Sequence, residues 1–157
     1  MRITKRVPLI TVVAIGAALM SSSIAAAPAQ AAQESVSATA AGCVEYRPGL
    51  TSTRASGSPT CGFWYAVQFY EARIGGGYTG PVNGVMGVNS WKGVQRYLNN
   101  NGAALAVDGA PGPATYRAMQ NKINQFGSNV PRVTVDGIVG PATYRSWAAM
   151  LLIESTY

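Results

Sequence analysis

Large apolar residues recur at helical spacing in three segments of the chain. In each segment they occupy positions i, i+3 and i+7, which places them in one stripe along one face of a helix. The three sets are Trp91, Val94 and Leu98; Tyr116, Met119 and Ile123; and Tyr144, Trp147 and Leu151. The pattern therefore predicts three short helices, one in each segment.

Residues 63–74 predict a further helix because they have the aromatic density of a core segment. Its predicted inner side consists of Phe63, Ala66, Val67, Tyr70 and Ile74. Three glycines at 75–77 end it. An isolated helix of this length is marginally stable in water, so the stripes are expected to pack against one another. The predicted fold class is all-α, a compact bundle of about four short helices.

A repeated turn precedes each of the three striped helices. Residues 107–116 and 135–144 are near copies, and residues 82–91 are a looser copy. Asp-Gly or Asn-Gly favours a tight turn, because the short polar side chain bonds nearby backbone and Gly accepts positive φ. The predicted turn residues are Asn83 and Gly84, Asp108 and Gly109, and Asp136 and Gly137. Pro113 and Pro141 then suit the first helical position.

These turn–helix units resemble the Asp-Gly-x-x-Gly-x-x-Thr helices of the small helical peptidoglycan-binding domain that accompanies many bacterial cell-wall hydrolases. The resemblance covers roughly residues 62–153. The first unit departs from the pattern, since it has Asn83 for Asp, Ser90 for Thr and no Pro after Gly87. The resemblance implies a three-helix bundle with Asp-Gly loops between the helices. This chain has one turn–helix element more than that minimum.

Residues 1–31 have the pattern of a secretory signal peptide. A basic start with Arg2, Lys5 and Arg6 precedes an uncharged apolar stretch. Ala29-Gln30-Ala31 is one candidate cleavage site, and Ala25-Ala26-Ala27 is another. The alternative is an uncleaved membrane anchor, but the apolar stretch is short for a span. We expect a secreted, extracellular or wall-associated protein with no membrane contact after cleavage. Residues 32–42 are small and polar, which predicts a flexible arm, and residues 154–157 form a C-terminal tail.

Cys43 and Cys61 are the only cysteines. An exported chain meets an oxidising environment, so the two are expected to form a disulfide. The alternative of a reactive thiol lacks an activating group, since the chain contains no His. Residues 43–61 show no periodicity, and we expect the bridge to close a loop that does not contribute helical packing.

The net charge of +6 overstates the basic character of the exported chain. Three of the 12 Lys and Arg residues lie in the signal, so nine remain against six Asp and Glu, a net charge of +3. This excess is too small to indicate nucleic-acid binding. The remaining length suits one compact domain, which we expect to be a monomer.

The residue types exclude several kinds of catalytic site. Without His, neither a Ser-His-Asp nor a Cys-His arrangement can form, and zinc loses its usual ligand. Asp108 and Asp136 occupy equivalent turns and are interpreted as turn-formers rather than as a glycosidase pair. Glu71 is a candidate general acid without a supporting neighbour. We predict no catalytic residues, no metal and no cofactor.

The remaining signal is for recognition. Off-stripe tyrosines offer flat faces to sugar rings: Tyr46, Tyr65, Tyr78 and Tyr97. Three arginines offer a planar fork of donors to peptide carboxylates: Arg96, Arg117 and Arg145. The predicted ligand site consists of Tyr78, Arg96, Tyr97, Arg117 and Arg145. The alternative is that the arginines are ordinary solvated charges.

The sequence therefore predicts a secreted, non-catalytic module that binds bacterial cell-wall peptidoglycan or its glycopeptide. Two other classes remain open. One is a cell-wall hydrolase with unconventional carboxylates, and the other is a secreted factor that binds or inhibits a protein through the same scaffold.

Overall fold

The structure, a computed structural model, describes residue 43 and residues 46–157. The signal peptide and arm predicted at 1–31 and 32–42 lie outside these residues. Helix α1 spans Tyr46–Ser56, α2 spans Cys61–Ala66 and continues directly as a π-helical segment, Val67–Gly75, α3 spans Val88–Asn100, α4 spans Pro113–Gln125 and α5 spans Pro141–Glu154. The described chain contains no strand, which confirms the all-α class. None of its helices is long and apolar enough to cross a membrane.

The count of about four helices becomes five because α1 lies inside the disulfide-closed segment. The Cys43–Cys61 disulfide is confirmed, with a Cα–Cα distance of 5.1 Å. The expectation that residues 43–61 form a loop was wrong for Tyr46–Ser56. Only Leu50 and Thr53 of α1 are buried, so it has no long apolar stripe. Its packing against α5, rather than its own pattern, stabilises it.

The predicted stripe of the second helix is correct for its first half only. Phe63, Ala66 and Val67 are buried, but Ile74 is 65% exposed. From Val67 onward the helix is π-helical, and its i→i+5 bonds put more residues into each turn than the α-helical period assumes. The buried face therefore rotates, and Gln68 and Glu71 are buried in place of the predicted residues.

The stripes of the other three helices form the core as predicted. Their buried members are Trp91, Val94, Leu98, Met119, Ile123, Trp147 and Leu151. Tyr116 and Tyr144 are half-buried and pack against this core. Gly93 of α3 lies against Ala72 and Gly76, so close that an added side-chain carbon would meet their backbone. Helix α5 pairs with α1, and Gly57, directly after α1, lies against Pro141 at the start of α5.

Candidate functional site

A buried glutamine from the preceding helix holds each predicted turn. The Gln120 Oε1 accepts the Gly137 N–H at 2.8 Å, while its Nε2 donates to the Asp136 Oδ1 at 2.8 Å and to the Ile138 carbonyl at 3.0 Å. Gln95 makes the same three bonds to Asp108, Gly109 and Ala110. The oxygen and the nitrogen of each amide group thus both bond to the turn. A third glutamine, Gln68, holds the first turn, and we call Gln68, Gln95 and Gln120 the glutamine clamps.

Gln68 repeats the arrangement in the first, divergent unit. Its Oε1 accepts the N–H groups of Asn83 and Gly84 at 2.9 and 2.7 Å, and its Nε2 donates to the Val85 carbonyl at 2.6 Å. Asn83 also keeps the Asp role, because its Oδ1 accepts the Val85 N–H at 3.0 Å. Asn83 and Gly84 thus form a turn with the same side-chain-to-backbone bond as the turns of Asp108 and Asp136.

The turn motif alone does not predict the glutamine clamps, although the sequence carries a signal for them. Each Gln lies four positions after an aromatic residue: Gln68 after Trp64, Gln95 after Trp91 and Gln120 after Tyr116. One helical turn separates the members of each pair, so both face the same side. The repeat therefore extends through the helix and beyond the turn motif.

Aligning the chain on this aromatic–Gln spacing identifies a fourth turn–helix unit, at residues 56–68, whose sequence has diverged from the others. The Ser58 N–H donates to the Ser56 Oγ at 3.1 Å, as the Ala110 N–H donates to the Asp108 Oδ1 at 2.9 Å. Gly57 has a positive φ of 77°, close to the 80° of Gly109 and Gly137. Residues 56–60 therefore form the turn of a first unit, which lacks the Asp-Gly pair that the sequence analysis sought.

The four turn glycines link the units into a closed ring. Each glycine packs against the first residue of another unit's helix, without room for a side chain. The pairs are Gly57 with Pro141, Gly84 with Cys61, Gly109 with Val88, and Gly137 with Pro113. The aromatic residues of the register also touch: Trp64 contacts Trp91 and Tyr144, and Trp91 contacts Tyr116, with ring centroids 5.9 to 6.2 Å apart.

This geometry accounts for Asp108 and Asp136 as turn residues. Each accepts a backbone N–H two residues ahead and the amide of a glutamine clamp. These bonds favour the charged form and hold the pKa of both carboxyls below the ordinary value. An acid that is already ionised and fully engaged in its own loop is poorly suited to proton donation.

Four of the five predicted ligand residues bond within the fold. Tyr97 is only 8% exposed, and its hydroxyl donates to the Glu154 Oε1 at 2.8 Å. The Tyr78 hydroxyl donates to the Pro81 carbonyl at 3.1 Å, within its own loop. The Arg96 Nε donates to the Gly76 carbonyl at 2.7 Å, and the Arg145 Nη2 donates to the Ser56 carbonyl at 3.0 Å. Both arginines thus donate to carbonyl groups at the C-terminal ends of helices. The structure does not bring the five residues together.

Arg117, the fifth predicted residue, lines an open groove of about 380 Å³ between the C-terminal end of α3 and α4. Its side chain makes no hydrogen bond within the described chain. Small apolar side chains form the floor and walls, among them Leu98, Ala103, Leu105, Ala114 and Ala118. Polar side chains stand beside them: Asn101, Asn121, Lys122 and Gln125. No acidic residue lines the groove, where Arg117 and Lys122 supply two positive charges, and Asp136 interacts electrostatically with Arg117 from outside the lining.

Lys122 connects the groove to the interior. Its Nζ donates to the Asn101 Oδ1 at 2.7 Å and lies 5.6 Å from the Tyr97 ring centroid and 5.7 Å from that of Phe126. Such cation–π contacts hold an ammonium group in place. The charge of Lys122 also acts on Glu71 and Glu154, since it opposes the rise of their pKa values.

Glu71, the sequence candidate for a general acid, is 0% exposed. Its Oε1 accepts the Trp147 Nε1–H, and its Oε2 has no hydrogen-bond partner. Burial, followed by the charge of Glu154, raises the pKa of Glu71 well above its ordinary value. A raised pKa suits an acid catalyst, but this carboxyl does not reach the protein surface.

Within the described residues, no group of three or more His, Cys, Asp and Glu side chains is arranged to hold a metal ion. Comparison with protein-family models, with curated proteins and with solved structures returns no match.

Proposed function

We propose that this protein is a secreted, non-catalytic module that binds bacterial cell-wall peptidoglycan, with the peptide portion of the ligand in the Arg117 groove. The groove is the observation that carries the proposal. Its two cations face no acidic residue of the lining, and small apolar side chains lie beside them. A short peptide with small side chains and a free carboxylate complements this lining.

The chemistry of each wall supports that occupant. Arg117 offers a planar fork that pairs with a carboxylate through two hydrogen bonds. The amides of Asn121 and Gln125 supply donors and acceptors for peptide groups, and the alanines leave room for methyl-sized side chains. The stem peptides of peptidoglycan combine alanine residues with free carboxylates.

The sequence resemblance points in the same direction. The turn–helix repeat resembles that of the small helical peptidoglycan-binding domains, and an N-terminal signal pattern is consistent with export to the wall. The groove and the repeat favour a binder. Glu71, one of the carboxyls considered for hydrolysis, is buried.

Cosedimentation with purified, insoluble peptidoglycan tests the proposal. Wild-type protein is expected in the pellet, and Arg117→Ala should weaken binding about tenfold, because a charge-assisted bidentate pair is lost. Arg132→Ala is the matched control, because it removes the same charge from an exposed position outside the groove. Wild-type protein that stays in the supernatant at every salt concentration would refute the proposal.

Two further readouts separate the alternatives. Release of soluble muropeptides by the purified protein would indicate a hydrolase. Recovery of a stoichiometric protein partner without wall binding would indicate a protein-binding or inhibitory factor.

A further inference from the structure

Four aromatic side chains of α1 and the α2–π helix form an ordered surface array, which we call the aromatic platform: Tyr46, Tyr65, Phe69 and Tyr70. The rings of Tyr46 and Tyr65 are parallel within 7°, with centroids 6.4 Å apart. Those of Tyr65 and Phe69 are parallel within 8°, with centroids 6.5 Å apart. Tyr70 meets Tyr46 and Phe69 edge-on. Three rings therefore share one orientation.

The core does not require the outer members of this platform. Tyr46 and Tyr70 pack against the buried cluster, whereas Tyr65 and Phe69, which are partly buried, are not among the side chains packed against it. A large apolar side chain such as Phe69, held outside the core beside other aromatic rings, is typical of a recognition surface. Tyrosine suits this role because a rigid ring gives contact area at a low cost in conformational entropy.

The spacing and the rim of the platform indicate the kind of ligand. Centroids more than 6 Å apart lie toward the wide end of aromatic pair distances, so neighbouring rings do not fully cover one another's faces. An aromatic face carries partial negative charge and attracts the C–H bonds of a sugar ring whose hydroxyls are equatorial. Hydrogen bonds from Tyr70 and Arg47 lower the pKa of Tyr46, which places these polar groups at the edge of the faces.

We propose that the aromatic platform is a carbohydrate-binding site for β-linked, glucose-configured chains, with Tyr65 and Phe69 as the stacking residues. The inference rests on the proposed function and deepens it, since it assigns the glycan portion of the wall ligand to a surface distinct from the Arg117 groove. A sugar ring is apolar on its faces and polar at its edge, and the platform has the same arrangement.

A second copy of the chain is a poorer occupant. Helix α1 carries Arg47 and Arg54 and no acidic residue. A symmetric contact between two platforms would bring these like charges together. A neutral glycan meets no such repulsion.

Titration of isotope-labelled protein with the β-1,4-linked tetramer of N-acetylglucosamine tests the site. Wild-type protein should show saturable NMR shifts centred on Tyr65 and Phe69, and Tyr65→Ala should lower the affinity at least tenfold. Tyr157→Ala is the matched control, because Tyr157 is fully exposed at the chain end, and it should bind as wild type does. Circular dichroism should show that Tyr65→Ala stays folded, since Tyr65 does not join the core; Phe69→Ala serves as the second variant.

Each other outcome contradicts the inference. Absence of tetramer binding by the wild-type protein, or equal binding by Tyr65→Ala and Phe69→Ala, would overturn it. A concentration-dependent dimer that Tyr65→Ala dissociates would assign the platform to self-association instead.

The two proposals fail separately. If the protein pellets with peptidoglycan but ignores the tetramer, the platform assignment is wrong and the wall-binding function stands. If it binds the tetramer and pellets with insoluble chitin but not with peptidoglycan, the platform binds glycan and the wall-binding function is wrong.

Discussion

The glutamine clamps and Glu71 are side chains of nearly the same shape in the same core, but their hydrogen-bonding differs. Gln120 uses its carbonyl oxygen and its amide nitrogen in three bonds to one turn. Glu71 accepts one bond from Trp147 and leaves Oε2 without a partner. Both are shielded from solvent, so the difference in free energy lies in whether each polar atom is paired.

This difference separates repeated architecture from a singular feature. The glutamine clamps occur in three units and connect each helix to the turn that follows it. Glu71 has no counterpart at the equivalent position of the other helices, where Leu98 and Ile123 lie three residues after Gln95 and Gln120. The repeat thus accounts for the buried amides, whereas the buried carboxylic acid depends on its own neighbours, Trp147 and Glu154.

The largest expected effect comes from removing a glutamine clamp. Gln120→Met keeps the volume but leaves the buried Gly137 N–H and the part-buried Ile138 carbonyl without partners. Each unpaired buried group costs roughly 1–3 kcal/mol, so we expect a loss of about 3 kcal/mol in the free energy of unfolding. Urea titration followed by circular dichroism measures it. Gln125→Met, an exposed change on the same helix, is the control; equal unfolding midpoints for the two variants would show that the clamp contributes little.

A second prediction concerns the unpaired carboxyl. The pKa of Glu71 is raised above 4.5 in the folded protein, so the unfolded chain releases this proton first as pH rises. Its contribution to stability is therefore fully present below about pH 4.5 and is lost as pH rises toward the folded pKa. Glu154, whose pKa burial also raises, acts in the same direction.

Glu71→Gln should remove the contribution of Glu71 to this decrease in stability with rising pH. The amide can still accept the Trp147 N–H. The melting temperature of the variant should therefore be several degrees higher than that of the wild type at pH 8 and nearly equal to it at pH 4. Glu154 still titrates in the variant, so the slope above pH 4.5 becomes shallower without vanishing. Melting curves for both proteins between pH 3 and 9 give the comparison, and parallel curves would show that Glu71 does not titrate abnormally.

The sequence predicted features that depend on neighbouring residues. The turns at Asp108 and Asp136 and the stripes that follow them are local patterns, and the structure has both. The glutamine clamps bond to residues 13 to 18 positions away, and a polar residue in a helix is ordinarily interpreted as solvent-facing. Only comparison among the repeats, four residues after each aromatic, could have identified them.

The predictions that failed concern residues whose environment is set by helices distant in the sequence. Helix α1 is stabilised by α5, which lies far along the chain, so its own pattern is uninformative. Tyr97 lies off the stripe of α3, yet it is buried, because α3 packs against the π-helical segment and α5 lies close enough for Glu154 to accept the Tyr97 hydroxyl. Of the predicted ligand residues, only Arg117 lines the groove. Its lining comes from two helices and a loop, and sequence spacing does not show that combination.

The smallest expected effect is on stability in acid. Hydrogen bonds from Ile138 and Gln120 lower the pKa of Asp136 below 3.8, so its contribution is present above that pH and is lost as pH falls through the folded pKa. Asp136→Asn should lower the melting temperature slightly at pH 7, because the charge contribution of these hydrogen bonds is lost, while Asn83 shows that an amide can form the same turn. It should, however, reduce the loss of stability below pH 3.8.

Asn83→Asp is the reciprocal variant and should introduce acid sensitivity where wild type has none from that turn. The two substitutions exchange the same pair of groups in equivalent turns, so they should shift the acid limb of the melting profile in opposite directions. A shift of the same sign in both would mean that the carboxylate in each turn interacts with charges outside the repeat. The turns would then not be interchangeable, despite their common backbone bonds.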